Sequence, residues 1–108
     1  MSGVKASTPD PIANGGSEGP QNAIQYHTSQ KWCAAFATPT LLLEFPREIC
    51  IDEFTYSTGN DCPDRDPTLW ILEGSTNQRE WVPLHHQKTE FNPIHMRNHQ
   101  NQWFSIDQ

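Results

Sequence analysis

The chain has 108 residues, a net charge of −6 and a hydrophobic fraction of only 34%, so it can form at most one domain with a modest core. Its seven basic residues form no cluster, and no apolar run approaches the ~20 residues of a membrane span. We therefore expect no nucleic-acid partner and no membrane span.

The N-terminal segment is rich in turn-forming residues. Residues 1–20 contain four of the six glycines, together with prolines, and show no periodicity. We expect an irregular lead-in over 1–20, partly packed on the body, followed by a single β-sandwich binding domain over 21–108.

Beyond residue 30 the apolar residues come in short runs separated by Pro or by polar pairs. No i, i+3, i+4 pattern lasts for eleven residues, which indicates an all-β protein. Many short strands separated by Pro and Gly turns favour an antiparallel β-sandwich. The predicted strands cover residues 31–37, 40–45, 49–57, 68–74, 79–83, 88–91 and 102–107.

Two local features refine this pattern. In the third strand Ile49 and Ile51 share one parity while Phe54 and Tyr56 share the other, which predicts a bulge near Asp52 and Glu53. The stretch "GSTNQREW" (74–81) predicts a hairpin turn with Asn77 at its tip.

The stretch "IDEFTYSTGNDCPDRDPTLWILEGSTNQREWVPLHHQ" (51–87) carries a family resemblance. It closely resembles the central part of galactose-binding-like jelly-roll domains, the discoidin or coagulation-factor type C group and its bacterial carbohydrate-binding relatives. The resemblance implies an antiparallel β-sandwich of jelly-roll type. The matching residues, in the family's order and spacing, are Thr58, Asn60, Asp61, Pro63, Arg65, Asp66, Pro67, Trp70, Leu72, Gly74, Ser75, Trp81 and Leu84.

The same resemblance bears on calcium and on the last strand. Family members commonly place a calcium ligand on an Asp-Gly turn, where this chain has "IQYHTSQ" (24–30) without a carboxylate. A Glu on the family's last strand often completes that site, and this strand would follow "QWFSID" (102–107). We expect no cofactor and no bound calcium, and a sandwich that is either complete or lacks its last strand.

The resemblance also indicates where a ligand would bind. Loops at one end of the sandwich, 24–30, 58–67 and 92–101, would contact it through polar side chains. An alternative is that Arg65 pairs with Asp61 or Asp66 and only holds the loop in shape. The candidate ligand-binding residues are Tyr26, His27, Asn60, Asp61, Arg65 and Asp66.

Neither a metal site nor a catalytic site is predicted. The adjacent His85 and His86 point to opposite faces of a strand, and the cysteines Cys33, Cys50 and Cys62 lack CxxC spacing. The sequence contains no nucleophile elbow, phosphate loop or dinucleotide fingerprint. We expect a protein that is not an enzyme and that has neither catalytic residues nor metal ligands.

Two functions remain open at this point. The first is a non-catalytic binding module that recognises a carbohydrate through loops at one end of the sandwich. The second is a protein-interaction or assembly module of an intracellular complex, completed by a strand from a partner. With no export signal in the sequence, we expect a cytoplasmic location if the chain is complete, and an extracellular one if it was excised from a secreted protein.

Overall fold

The fold is built from short strands. In the parts of the chain that the structure describes, the regular elements are six β-strands and two 3₁₀ turns, and the strands pair into three two-stranded antiparallel sheets. This confirms the all-β prediction. No helix among these residues could span a membrane. The structure, a computed structural model, describes residues 3–13, 16–25, 30–35, 38–92 and 97–106.

The first of two structural units covers residues 1–47. Strand β1 (Lys5–Ser7) pairs with β2 (Leu42–Glu44), and Ala6 lies opposite Leu43. Strand β1 lies within the segment predicted to be irregular. Its three residues, Lys-Ala-Ser, carry no apolar alternation, so only the pairing with a distant strand identifies it.

A 3₁₀ turn (Pro20–Ile24) organises the middle of this unit. The Asn22 side-chain amide donates hydrogen bonds to the carbonyls of Ser17 at 3.1 Å and Lys31 at 2.9 Å. The predicted strand at 31–37 is wrong for the described residues 31–35, which form only an isolated bridge between Ala34 and Ile12.

The second unit, residues 48–108, contains the other two sheets. Strand β3 (Glu53–Phe54) is followed by β4 (Trp70–Gly74), β5 (Val82–Gln87) and β6 (Phe104–Ser105). Strand β3 pairs with β6, and β4 pairs with β5. The strand predicted at 79–83 instead forms further along the chain, as β5. The strand predicted at 88–91 does not form.

A bulge interrupts the β4–β5 sheet. Leu72 lies opposite His85 but Glu73 lies opposite Pro83, so Leu84 is the extra residue on β5. Proline has no N–H to donate to a ladder, which suits Pro83 to the irregular position beside the bulge.

The change of parity that predicted a bulge near Asp52 and Glu53 has a different cause. Strand β3 begins at Glu53, so Ile49 and Ile51 precede the strand and do not share its alternation. The change of parity in the sequence marks the start of the strand. Ile49 is exposed, as expected for a residue outside the ladder.

The turn between β4 and β5 follows the sequence prediction. The side-chain oxygen of Asn77 accepts hydrogen bonds from the backbone N–H groups of Arg79 at 2.9 Å and Glu80 at 3.0 Å. Gln78 takes up a left-handed conformation with φ 61°. Asn77 therefore fixes the turn through its own side chain.

The core of the second unit is aromatic. Trp70 packs edge-to-face on Phe104 with ring centroids 5.0 Å apart and on Phe91 at 5.8 Å, and Phe54 stacks on Phe104 at 5.4 Å. His85 joins this cluster, and its Nδ1 lies 3.0 Å from the Ser105 carbonyl oxygen. These rings hold the β4–β5 and β3–β6 sheets together.

Candidate functional site

A two-stranded ribbon extends the β3–β6 pairing and carries the candidate site at its end. Backbone hydrogen bonds run from Asn101 N–H to the Tyr56 carbonyl, from Thr58 N–H to the His99 carbonyl, and from Asn98 N–H to the Gly59 carbonyl. They bring two segments side by side, the loop 58–66 and the turn 97–100. We call this pair of segments the loop pair.

Thr58 links the two segments of the loop pair at the end that joins the ribbon. Its side chain is buried, and its hydroxyl oxygen accepts a hydrogen bond from the His99 N–H at 3.0 Å. Because the Thr58 backbone also donates to His99 at 2.9 Å, both backbone and side chain hold this point. The loop pair thus starts from a fixed base.

Arg97 links the two segments of the loop pair. Its guanidinium forms a two-point contact with Asp66, with Nη1 3.2 Å from Oδ1 and Nη2 2.6 Å from Oδ2. Nη1 also donates to the carbonyls of Asp61 at 3.2 Å and Gly59 at 3.4 Å. One side chain therefore holds both ends of the 59–66 segment.

Burial strengthens this contact. The Asp66 side chain is 8% exposed and that of Arg97 is 21% exposed. The hydrogen bond that Arg97 donates to Asp66 raises the pKa of Arg97 above its ordinary value; partial burial acts in the opposite direction, and the charges of Asp66 and Asp61 add to the increase. The contact therefore favours the charged form of the guanidinium. Its Nε is buried and has no hydrogen-bond partner within the described ranges.

Tyr56 supports the loop from the ribbon side. Its hydroxyl donates a hydrogen bond to the Pro67 carbonyl at 2.6 Å, just after the Asp66 position. Burial raises the pKa of Tyr56 from 10.0 to about 12, and the nearby Asp66 carboxylate adds to the shift. Both effects disfavour the charged phenolate, so the phenol remains a hydrogen-bond donor.

The loop itself turns sharply before its charged residues. Cys62 has a left-handed conformation, with φ 47°, and precedes a 3₁₀ turn (Pro63–Arg65). The fixed φ of proline suits Pro63 to the first position of this turn. As a result Arg65 is exposed, whereas Asp66 turns back toward Arg97.

The sequence-predicted residues separate into three groups. Asn60, Asp61 and Arg65 lie exposed on the loop pair, while Asp66 is buried against Arg97. Tyr26 and His27 lie outside the described residues. Arg65 was predicted to pair with Asp61 or Asp66 if it only holds the loop in shape, and Asp66 has a partner in Arg97.

The four residues of the 97–100 turn were not predicted as ligand-binding residues. These are Arg97, Asn98, His99 and Gln100, the last three of which are exposed. The 92–101 loop was predicted to contact a ligand, but none of its residues was predicted to be ligand-binding. The sequence offered one signal for Arg97, which is the single basic residue in a loop expected to lie near the Asp-rich loop 58–67. Its pairing with Asp66, 31 positions away in sequence, cannot be predicted from local pattern.

The described residues include neither a grouped set of metal ligands nor a disulfide. Among the described residues no three His, Cys, Asp or Glu side chains come together in a way that could hold a metal ion. No disulfide links the three cysteines, all of which lie in the described ranges. As predicted, His85 and His86 point to opposite faces of β5, His85 into the aromatic cluster and His86 to the exposed face.

A different surface lies on the outward face of the β4–β5 sheet. Leu69 is 57% exposed and Ile71 is 58% exposed, and Ile71 lies opposite His86. The alternation of β4 places Trp70 and Leu72 inward and Ile71 outward. We call Leu69 and Ile71 the aliphatic patch.

Comparison of the chain with protein-family models, curated proteins and solved structures finds no match.

Proposed function

We propose that the protein is a non-catalytic module that binds a carbohydrate at the loop pair. We further propose that its sheets form a β-sandwich of jelly-roll type, as in the galactose-binding-like domains that residues 51–87 resemble. The observation that carries the functional proposal is the Arg97 contact with Asp66, Asp61 and Gly59.

This contact supports binding because it fixes the loop before a ligand arrives. A loop already held in its bound shape loses less conformational entropy on binding, so more of the interaction energy appears as affinity. Arg97 is itself engaged by the loop, and its function on this proposal is positioning. The ligand contacts fall to the exposed Asn60, Asp61, Asn98 and His99.

The chemistry of these side chains suits a polyhydroxylated ligand. The Asp61 carboxylate can accept two hydrogen bonds from adjacent hydroxyl groups, and the amides of Asn60 and Asn98 can both donate and accept. The side chain of Arg65, exposed on the same loop, adds a planar set of donors.

A sugar titration followed by ¹⁵N-¹H NMR tests the proposal. We expect methyl β-D-galactopyranoside or another simple glycoside to shift the backbone signals of the loop pair, 58–66 and 97–100, and to leave those of the 75–80 turn in place. Asp61→Asn, which keeps the shape of the side chain but removes its charge, should weaken binding. If no glycoside shifts these signals at saturating concentration, the proposal is wrong.

A second candidate function, a protein-interaction module, is favoured by the aliphatic patch. Two large aliphatic side chains that are more than half exposed on one sheet face are more typical of a protein contact than of a sugar contact. Such a partner could add a strand along β4, since main-chain groups at a sheet edge supply the hydrogen bonds.

Photo-cross-linking tests this second candidate. A photoreactive residue placed at Leu69 or Ile71 should capture one discrete protein from a native extract, and the same residue placed at Glu80 in the exposed turn should not. The double variant L69T/I71T should leave the melting temperature within a few degrees and abolish capture. Equal capture from all three positions would argue against a specific patch.

A further inference from the structure

The ribbon that carries the loop pair has an outward face with a single large aromatic residue. Phe104 and Ile106 alternate inward and are buried, whereas Trp103 and Ser105 alternate outward. Trp103 is 56% exposed, more than any other Phe, Tyr or Trp side chain among the described residues. An exposed indole presents a flat apolar face that a ligand can stack on.

The residues that share this face are hydrophilic. Glu53 lies directly opposite Ser105, and both are exposed. The next residues along the two strands are Thr55 and Trp103, so Glu53 lies diagonally across from the indole. Cross-strand neighbours in this relation are about 7–8 Å apart, within reach of a long side chain and an aromatic ring.

The Thr55 hydroxyl keeps the strand beside Trp103 in register. Its single O–H lies within hydrogen-bonding distance of two carbonyl oxygens, those of Asn101 at 3.0 Å and Gln102 at 2.9 Å. Ser57 bridges to Gln100, and Phe54 pairs with Phe104. Between these two pairs the first strand has residues 55–56 and the second has residues 101–103, so the second strand carries one extra residue. The backbone leading into Trp103 is therefore held by side-chain as well as main-chain bonds.

We propose that Trp103 is a stacking platform for a pyranose ring, with Glu53 and Ser105 as hydrogen-bond partners for the ring's hydroxyl groups. A pyranose has one flat face of C–H groups and a rim of hydroxyls. A flat indole with a carboxylate and a hydroxyl nearby matches both parts. The ligand class follows the proposed function, but the site is separate from the loop pair.

A protein partner fits this face less well than a sugar does. Interface hot spots set an aromatic anchor among other apolar or near-neutral groups that exclude water. The described residues that share the outward face with Trp103 are Glu53, Thr55 and Ser105, none of which is aliphatic. The aliphatic patch on β4 has the opposite character and suits the protein alternative.

The test is an NMR titration that observes the indole N–H signals of the four tryptophans, assigned with single Trp→Phe variants. The probes are methyl β-D-galactopyranoside, methyl β-D-glucopyranoside and methyl α-D-mannopyranoside. Mannitol, which has the hydroxyl groups but no ring face, is the control ligand. We expect at least one glycoside to shift the Trp103 signal and mannitol to leave it in place.

Variants then measure the contribution of the ring. Trp103→Ala should raise the Kd for the active glycoside about tenfold, which corresponds to about 1.4 kcal/mol. Trp103→Tyr should retain most of the affinity because it keeps an aromatic face. The matched control is Trp81→Ala, which removes another exposed indole, 41% exposed, and should leave the Kd unchanged.

The outcomes separate this inference from the proposed function. Shifts at the loop pair without any at Trp103, with Trp103→Ala unchanged in affinity, would overturn the platform and leave the loop site standing. Shifts at Trp103 alone would establish the platform and overturn the loop site. No shift at either place with all three glycosides would overturn both, and equal shifts with mannitol would overturn stacking.

Discussion

Arg97 and Asp66 are 31 positions apart in sequence and are joined through two parallel contacts, the shorter of which is 2.6 Å from Nη2 to Oδ2. The same guanidinium holds two backbone carbonyls of the loop. A planar fork is needed for this combination, since an ammonium group offers no parallel pair of donors.

We therefore expect Arg97→Lys to destabilise the protein nearly as much as Arg97→Ala, although it preserves the charge. Both variants should lower the melting temperature measured by circular dichroism. Arg79→Ala, which removes an exposed arginine from the 75–80 turn, is the control and should change it little. If Arg97→Lys is as stable as the wild type, the contact is electrostatic only and the fork geometry is unimportant.

Tyr56 should make the protein sensitive to alkaline pH. Its pKa is raised from 10.0 to about 12 in the folded protein, so folding favours the neutral phenol. The stability that it contributes is present in full below the unfolded value and is lost as the pH rises from 10.0 to about 12.

Ultraviolet absorbance of the phenolate measures this titration directly. Of the two tyrosines, Tyr26 can be replaced by Phe, which leaves Tyr56 as the only signal. Tyr56→Phe should abolish this alkaline loss of stability and, by removing the hydrogen bond to Pro67, lower the stability at neutral pH by about 1 kcal/mol. A midpoint at the ordinary tyrosine value would contradict the burial of this ring.

Gly74 leaves room for Leu84. A Cβ atom at position 74 would lie 3.0 Å from Leu84 Cδ1 and 3.5 Å from Cγ. We expect Gly74→Val to destabilise the protein by about 1–3 kcal/mol, because the larger side chain overpacks this point of the β4–β5 sheet.

A double-mutant cycle checks that Leu84 is the cause. In urea unfolding, the penalty of Gly74→Val should shrink in a Leu84→Ala background, where the contacting atoms are gone. An unchanged penalty in that background would mean that the backbone of β4, and not the side chain of Leu84, rejects the substitution.

Asn77 should be a sensitive position in the 75–80 turn. Asn77→Ala removes the acceptor for two backbone N–H groups, and we expect a loss of about 0.5–1.5 kcal/mol in the free energy of unfolding. Asn77→Asp keeps the acceptor and should be close to wild type. Equal losses for both variants would show that the side-chain oxygen is not what fixes the turn.

Local chemistry was sufficient to predict some elements. The prediction at 68–74 closely matches β4, because Trp70, Ile71 and Leu72 form a strong apolar run and Gly74 ends it. The position of Asn77 in the turn was also predicted, since an Asn side chain can hydrogen-bond its own backbone two or three residues further on.

Features that depend on a distant partner were not predicted. Strand β1 exists because Ala6 pairs with Leu43, and its sequence contains no strand pattern of its own. The Asp-rich loop was recognised as a unit, but the partner of Asp66 was not, because Arg97 reaches it only after the ribbon has formed. Sequence pattern describes neighbours along the chain and gives little information about contacts of this length.

The pairing of β3 with β6 also dictates the order in which this half of the protein can form. Phe54 meets Phe104 only after all of the intervening chain has been made, so the loop 58–66 is synthesised long before the turn that shapes it. Until then Asp66 has a carboxylate without its counter-charge, and the rings that surround Trp70 are incomplete. Residues 48–108 should therefore fold together, in a single event that waits for the strand that carries Phe104.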